Sequence, residues 1–211
     1  MSFLIDLGDA LNAFLSAKYN TLTVNSESWA AVVARELLNA VTVPVPWLRS
    51  VVDVIDDATS TRSVTLPRLG GEGAMIVYAR SVKVPEIHYP ATVAHEHEHA
   101  RVLKARPDLQ VIVDYTDDEL RATAEARAYA CGAFTKYLLT GVLPLVDDVI
   151  FPLTSGYGLT VKALSTARTL IQADLSMMES GVVPPHTICE DVLVFLRTRY
   201  PQAILVKSFQ A

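Results

Sequence analysis

Residues 91–105 read ATVAHEHEHARVLKA, and the fold of the chain turns on whether the central HEHEH, at 95–99, repeats with the period of a strand or of a helix. As a strand, alternation would put His95, His97 and His99 on one face and Glu96 and Glu98 on the other, an array that can line a metal site in a β-barrel. As a helix, His95 and His99 stand one turn apart on one side while His97 points elsewhere. The flanks decide. At roughly 100° per residue, Ala91, Thr92, His95, His99, Val102 and Leu103 gather on one arc, which should be dry, while His97, Glu98, Arg101 and Lys104 gather on another, which should be solvated. A strand continued through ARVLKA would mix Arg101 with Leu103 on the histidine face. Pro90 also suits a helix start, and a helix is what we expect.

The helix turns 95–99 into H-E-x-x-H. Two imidazoles one turn apart can grip one zinc ion (Zn2+), and Glu96 between them can reach water held by the metal. At this point the sequence resembles the zincin metallopeptidases, with His95, Glu96 and His99 matching their motif. Two residues depart from the pattern: Glu98 puts a charge between the paired histidines, and Arg101 stands where the family prefers an apolar residue. Both fall on the arc expected to be solvated.

A catalytic zinc usually takes three protein ligands. A third histidine six residues past His99 would fall at position 105, which is alanine, so a carboxylate from a following helix is expected. Glu119 and Glu125 are on offer. Thr116, Asp117, Asp118 and Glu119 read as a capping box, with Thr116 as N-cap and Glu119 reaching back to it. Glu125 has no such role. Its helical neighbours Ala122, Ala126, Tyr129, Gly132 and Ala133 form a stripe of mostly small residues. That stripe would let another helix close in and bury the carboxylate, which a cation would then pair. The competing reading of Glu125 is an ion pair with Arg121 at i−4.

The stretch EARAYACG, from Glu125 onward, is similar to the E-A-x-x-[FY]-A segment of the ImmA/IrrE-type peptidases, often encoded near phage and mobile elements. The resemblance covers residues 91 to 144 and implies a gluzincin-like site. In it Glu125 completes His95 and His99 as metal ligands, and Glu96 is the general base of peptide hydrolysis. His88, Tyr129, Tyr157 and His186 are all open as the group that stabilises the oxyanion. Asp114 and Asp118 are open as partners that orient the imidazoles.

Outward from the motif, the expected class is α+β, a mostly helical zincin-like domain with a small sheet. Phe3, Leu4, Leu7, Leu11, Phe14 and Leu15 recur at helical spacing, and further helices are expected over 28–40 and 46–58. RSVTLP and AMIVYA read as a hairpin over about 62–79 around the turn RLGGEG, and LQVIVDY as a strand over about 109–115. The hairpin strand ending just before the metal helix is the one expected to accept a peptide by strand addition. Gly141 and Gly181 should close two long helices, and a last helix should follow Pro185. Between those two long helices, VLPLVDDVIFPLTSGYG reads as a packed loop because Pro144 and Pro152 break it. The chain is expected to form a single domain over 1–211, with N-terminal helices over 1–60, a metal-site core over 61–141 and a C-terminal helical part over 142–211.

With 211 residues, 51% of them hydrophobic, the chain can bury a core of its own. Its net charge of −5 offers no basic field for phosphates, so nucleic acid is not the expected partner, and the resemblance to zincins implies a peptide or protein substrate instead. Cys131 and Cys189 are too few for a disulfide framework and read as buried thiols. No apolar run reaches membrane-spanning length and the opening residues lack a basic leader, so a cytoplasmic protein is expected. The activity expected is a zinc-dependent metalloendopeptidase. The alternative is a non-catalytic, zincin-like structural or adaptor protein of a phage or mobile element.

Overall fold

The structure, a computed structural model, describes residues 2–25, 63–67, 73–78, 82–105, 117–185, 187–206 and 208–209. The helices expected over 28–40 and 46–58, the strand expected near 109–115, and His186, Asp114 and Thr116 lie outside the described residues. The described part is α+β and mostly helical. In chain order it runs α1 (Phe3–Tyr19), β1 (Thr21–Asn25), β2 (Val64–Pro67), β3 (Ala74–Tyr78), α2 (Tyr89–Ala105), α3 (Asp118–Thr140), α4 (Val146–Gly156), α5 (Val161–Glu179) and α6 (Cys189–Arg199).

The sheet has the order β1-β3-β2, with β1 parallel and β2 antiparallel to the central strand. Alternation along β3 divides its side chains between two cores: Ala74, Ile76 and Tyr78 join the main one, while Met75 and Val77 meet Val24 on the far face. Residues directly opposite one another share a face. The register Thr21↔Ala74 and Thr65↔Ile76 therefore brings two threonines onto the inner face, against α2.

Leu7, Leu11 and Leu15, one turn apart, form the fully buried stripe of α1. A Cβ at Gly8 would lie 2.4 Å from the Tyr89 ring, so only glycine lets α1 and the start of α2 come this close. The helix ends at Asn20, whose left-handed φ of 54° turns the chain straight into β1. That strand lies where only helices were expected. TLTVN is short and half polar, and its pairing partner β3 comes some fifty residues later in the sequence, beyond the reach of a local pattern.

The expected packed loop after Gly141 contains helix α4, with Pro152 inside it. An interior proline removes one backbone hydrogen bond and costs about 3 kcal/mol. Val149, Ile150 and Leu153, all buried, hold the helix in place despite it. The hairpin, α1, α3, α5 and α6 stand where the sequence puts them, and Gly141 (φ 71°) and Gly181 (φ 73°) terminate α3 and α5. At the start of α3 the N-cap is Asp117, one residue later than expected. Its carboxylate accepts from the Glu119 and Leu120 amides at 2.9 and 3.0 Å, while the Glu119 carboxylate pairs with Lys162. Among the described residues no helix is long and apolar enough to cross a membrane.

Candidate metal centre

Helices α2 and α3 pack face to face, and the small-residue stripe on α3 sets how close they come. At Gly132 an added Cβ would sit 3.1 Å from the Ala91 carbonyl oxygen, so the α2 backbone lies almost directly on α3 there. Two turns up the same interface, Glu125 projects from α3 toward the histidine pair of α2. Its carboxylate does not meet Arg121, which is held by Asp118 at 2.7 Å.

His95 Nε2 and His99 Nε2 are 3.3 Å apart, and Glu125 Oε2 lies 3.6 Å from each. A point equidistant from the corners of that triangle is about 2.0 Å from all three, which is the zinc–nitrogen and zinc–oxygen bond length. His95, His99 and Glu125 thus form a three-residue cluster that could hold a metal ion. Their side chains are 13%, 9% and 6% exposed, so the cluster is nearly closed to solvent.

Electrostatics show how tightly the three are coupled. Burial, reinforced by His99, holds His95 neutral down to about 4. Burial works against a charge on His99 too, but Glu125 beside it prevails and keeps its proton up to about 9. Burial likewise opposes charge on Glu125, yet the pull of His99 leaves its carboxyl below the ordinary range. Without metal, then, one imidazole carries the proton that balances the carboxylate. A dication would replace that proton.

Glu96, between the two histidines in sequence, is also buried. Thr65, on the inner face of β2, donates to its Oε2 at 2.7 Å and to its backbone carbonyl at 3.0 Å. Burial pushes the Glu96 carboxyl up to about 7, with His99 and the Thr65 hydroxyl pulling the other way.

Of the arc of α2 expected to be solvated, Lys104 is exposed and Arg101 partly so, but His97 and Glu98 are buried. His97 is 0% and Glu98 1% exposed, because α1 and β1 cover one and the entry to α6 covers the other. Both are satisfied. His97 Nδ1 donates to the Val93 carbonyl at 2.9 Å, leaving Nε2 to accept from the hydroxyls of Ser16 and Thr21, each 3.2 Å away. Glu98 accepts from Arg101 Nε and Nη2 at 2.9 and 2.7 Å and from the Ile188 amide at 3.1 Å. The two departures from the zincin pattern are therefore an ion pair between buried Glu98 and partly exposed Arg101, and Glu98 also anchors the start of α6. Their composition pointed to solvent, and only the tertiary partners show otherwise.

Of the four open candidates for the oxyanion, Tyr129 stacks edge-on against His95 with ring centroids 4.5 Å apart. Tyr157, in the loop after α4, donates to Glu125 Oε2 at 3.1 Å. His88 sits in a short 3-10 turn before α2. Asp118 binds Arg121 and the Thr160 amide, not an imidazole. Sequence reasoning missed Thr65, whose hydroxyl reaches Glu96 only because of the β2–β3 register. The strand expected to accept a peptide, β3, is not an edge: it is flanked on both sides and cannot take another strand.

Comparison with protein-family models, curated proteins and solved structures finds no match, so the likeness to zincins stands on the His95–His99–Glu125 cluster alone.

Proposed function

We propose that this protein is a zinc-dependent metallopeptidase that hydrolyses peptide bonds, with His95, His99 and Glu125 as metal ligands and Glu96 as general base. The observation that carries the reading is the triangle of 3.3, 3.6 and 3.6 Å between three donor atoms from two helices, sized for one zinc ion. Zinc bound there supplies a Lewis acid for the scissile carbonyl and makes water acidic near neutral pH. Glu96 takes the proton of the attacking water as the carbon–oxygen bond forms. It returns that proton to the nitrogen as the carbon–nitrogen bond breaks. Thr65 occupies Oε2 of that carboxylate, so Oε1 is the oxygen that carries the proton. A substrate strand would add to β2, which is an outer strand of the sheet among the described residues and lies next to Glu96, and would run antiparallel or parallel to it beside the cluster.

One observation favours a second reading. The near closure of the three ligands also fits a structural zinc that clamps α2 to α3 in a non-catalytic protein. Metal analysis after extensive dialysis tests the centre itself: wild type should retain one zinc per chain and Glu125→Ala should not. Glu96→Gln should keep the metal and lose cleavage of quenched fluorescent peptides, and a peptide hydroxamate should inhibit the wild type. Wild type without zinc would sink both readings. Retained turnover in Glu96→Gln would sink the base assignment, and zinc-loaded protein that neither cleaves peptides nor binds the hydroxamate would select the structural role.

A further inference from the structure

Glu125 reaches the histidines through a flexible side chain whose flanking residues on α3, Ala122 and Ala126, are too small to restrain it. Something else must fix its direction. We propose that Tyr157 is a positioning residue for the metal centre, its hydroxyl donating to Glu125 Oε2 and holding that oxygen toward the two imidazoles. The inference rests on the reading of His95, His99 and Glu125 as metal ligands.

Tyr157 is in turn held by the helix it serves. In the first turn of α3, Asp118 accepts from Arg121 Nη2 at 2.7 Å and from the Thr160 amide at 3.1 Å. Arg121 Nη2 also donates to the Tyr157 carbonyl at 3.1 Å. The backbone on both sides of Gly158 is thereby clipped to the helix that carries Glu125, and the phenol follows from that placement. A donor on a ligating oxygen withdraws a little of its electron density. It also removes the rotational freedom the carboxylate would lose on binding metal, and orienting partners of this kind typically change metal affinity by about 10–100-fold. Orientation is the larger effect for a long side chain among alanines.

Tyr157→Phe keeps the ring and removes the donor. Zinc dissociation constants, measured by competition with a chromophoric chelator at fixed pH, should weaken by about 10–100-fold in this variant. Thermal unfolding of the metal-free proteins checks that the fold is intact. A second pair of proteins separates orientation from general packing: in a Glu125→Ala background, adding Tyr157→Phe should leave zinc affinity unchanged. Equal affinity of wild type and Tyr157→Phe would overturn the inference, as would the same loss in both backgrounds. Wild type that binds no zinc would overturn the metal centre and this inference with it, a result distinct from either.

Discussion

Zinc binding should tighten as pH rises, and the structure sets by how much. In the metal-free protein the two imidazole nitrogens are 3.3 Å apart. Two positive charges at that distance repel by about 5 kcal/mol at an effective dielectric near 20, so at most one is protonated near neutrality. Burial and that neighbour leave His95 neutral down to about 4, whereas Glu125 outweighs burial at His99 and holds its proton up to about 9. A metal needs both nitrogen lone pairs, so the His99 proton must leave when zinc arrives. The sign follows: deprotonation favours binding, and affinity rises with pH until about 9. Two units below that value the proton weakens binding about a hundredfold. Between about pH 6 and 8 the dissociation constant should fall about tenfold per unit, with about one proton released per zinc. Calorimetric titration in two buffers of different ionisation enthalpy counts the protons, and chelator competition gives the constants. Glu125→Gln removes the charge that retains the proton and should flatten the dependence above pH 7. A wild-type affinity flat between pH 6 and 8 would refute the coupled cluster.

Three further outcomes follow from packing. Gly132→Val forces side-chain carbon against the Ala91 carbonyl, which already lies 3.1 Å from an ideal Cβ. It should cost about 1–3 kcal/mol in calorimetric stability and weaken zinc binding, because the two helices it separates carry all three proposed ligands. Asp117→Ala leaves two first-turn amides of α3 uncapped and should lower the urea midpoint by the equivalent of about 1 kcal/mol, with an unchanged slope. Cys131 and Cys189 are both fully buried, and burial pushes the Cys131 thiol well up. Neither should react with an aromatic disulfide reagent at pH 8 until denaturant is added.

What could be read in the sequence was whatever a single element decides within its own length. The helical period of 91–105, the leucine stripe of α1, the hairpin around RLGGEG and the glycine stops at 141 and 181 are all local, and all four positions carry the expected element. Even the meeting of Glu125 with the histidines was legible. A carboxylate among alanines and a glycine would be buried by a close neighbour and need a cation to pair it, and a metal on His95 and His99 would need a third ligand from a following helix. Strand β1 and helix α4 were not legible. Threonine-rich 21–25 becomes a strand because β3 offers it a ladder, and Pro152 is tolerated because three buried side chains hold its helix against the core.

The misreading of His97 and Glu98 has a more specific cause, and it bears on why the motif alternates. A wheel sorts residues by polarity, which equals exposure only when polar groups lack partners inside the fold. Here the partners come from far along the chain: Ser16 and Thr21 for His97, the Ile188 amide for Glu98, and Thr65 for Glu96. Each of the five residues 95–99 consequently has its own correspondent. His95 and His99 face α3, Glu96 faces β2, His97 faces α1 and β1, and Glu98 faces the entry to α6. A stretch of helix enclosed by packed elements, as 95–99 is, can still be polar if each side chain is answered by a donor or acceptor, and burying an unanswered one costs several kcal/mol. That requirement pins the rotation of α2 about its own axis more firmly than an apolar stripe would, since a turn of even one residue would leave several buried polar groups without partners. Fixing that rotation is what keeps the two imidazoles within metal-ligand distance of Glu125.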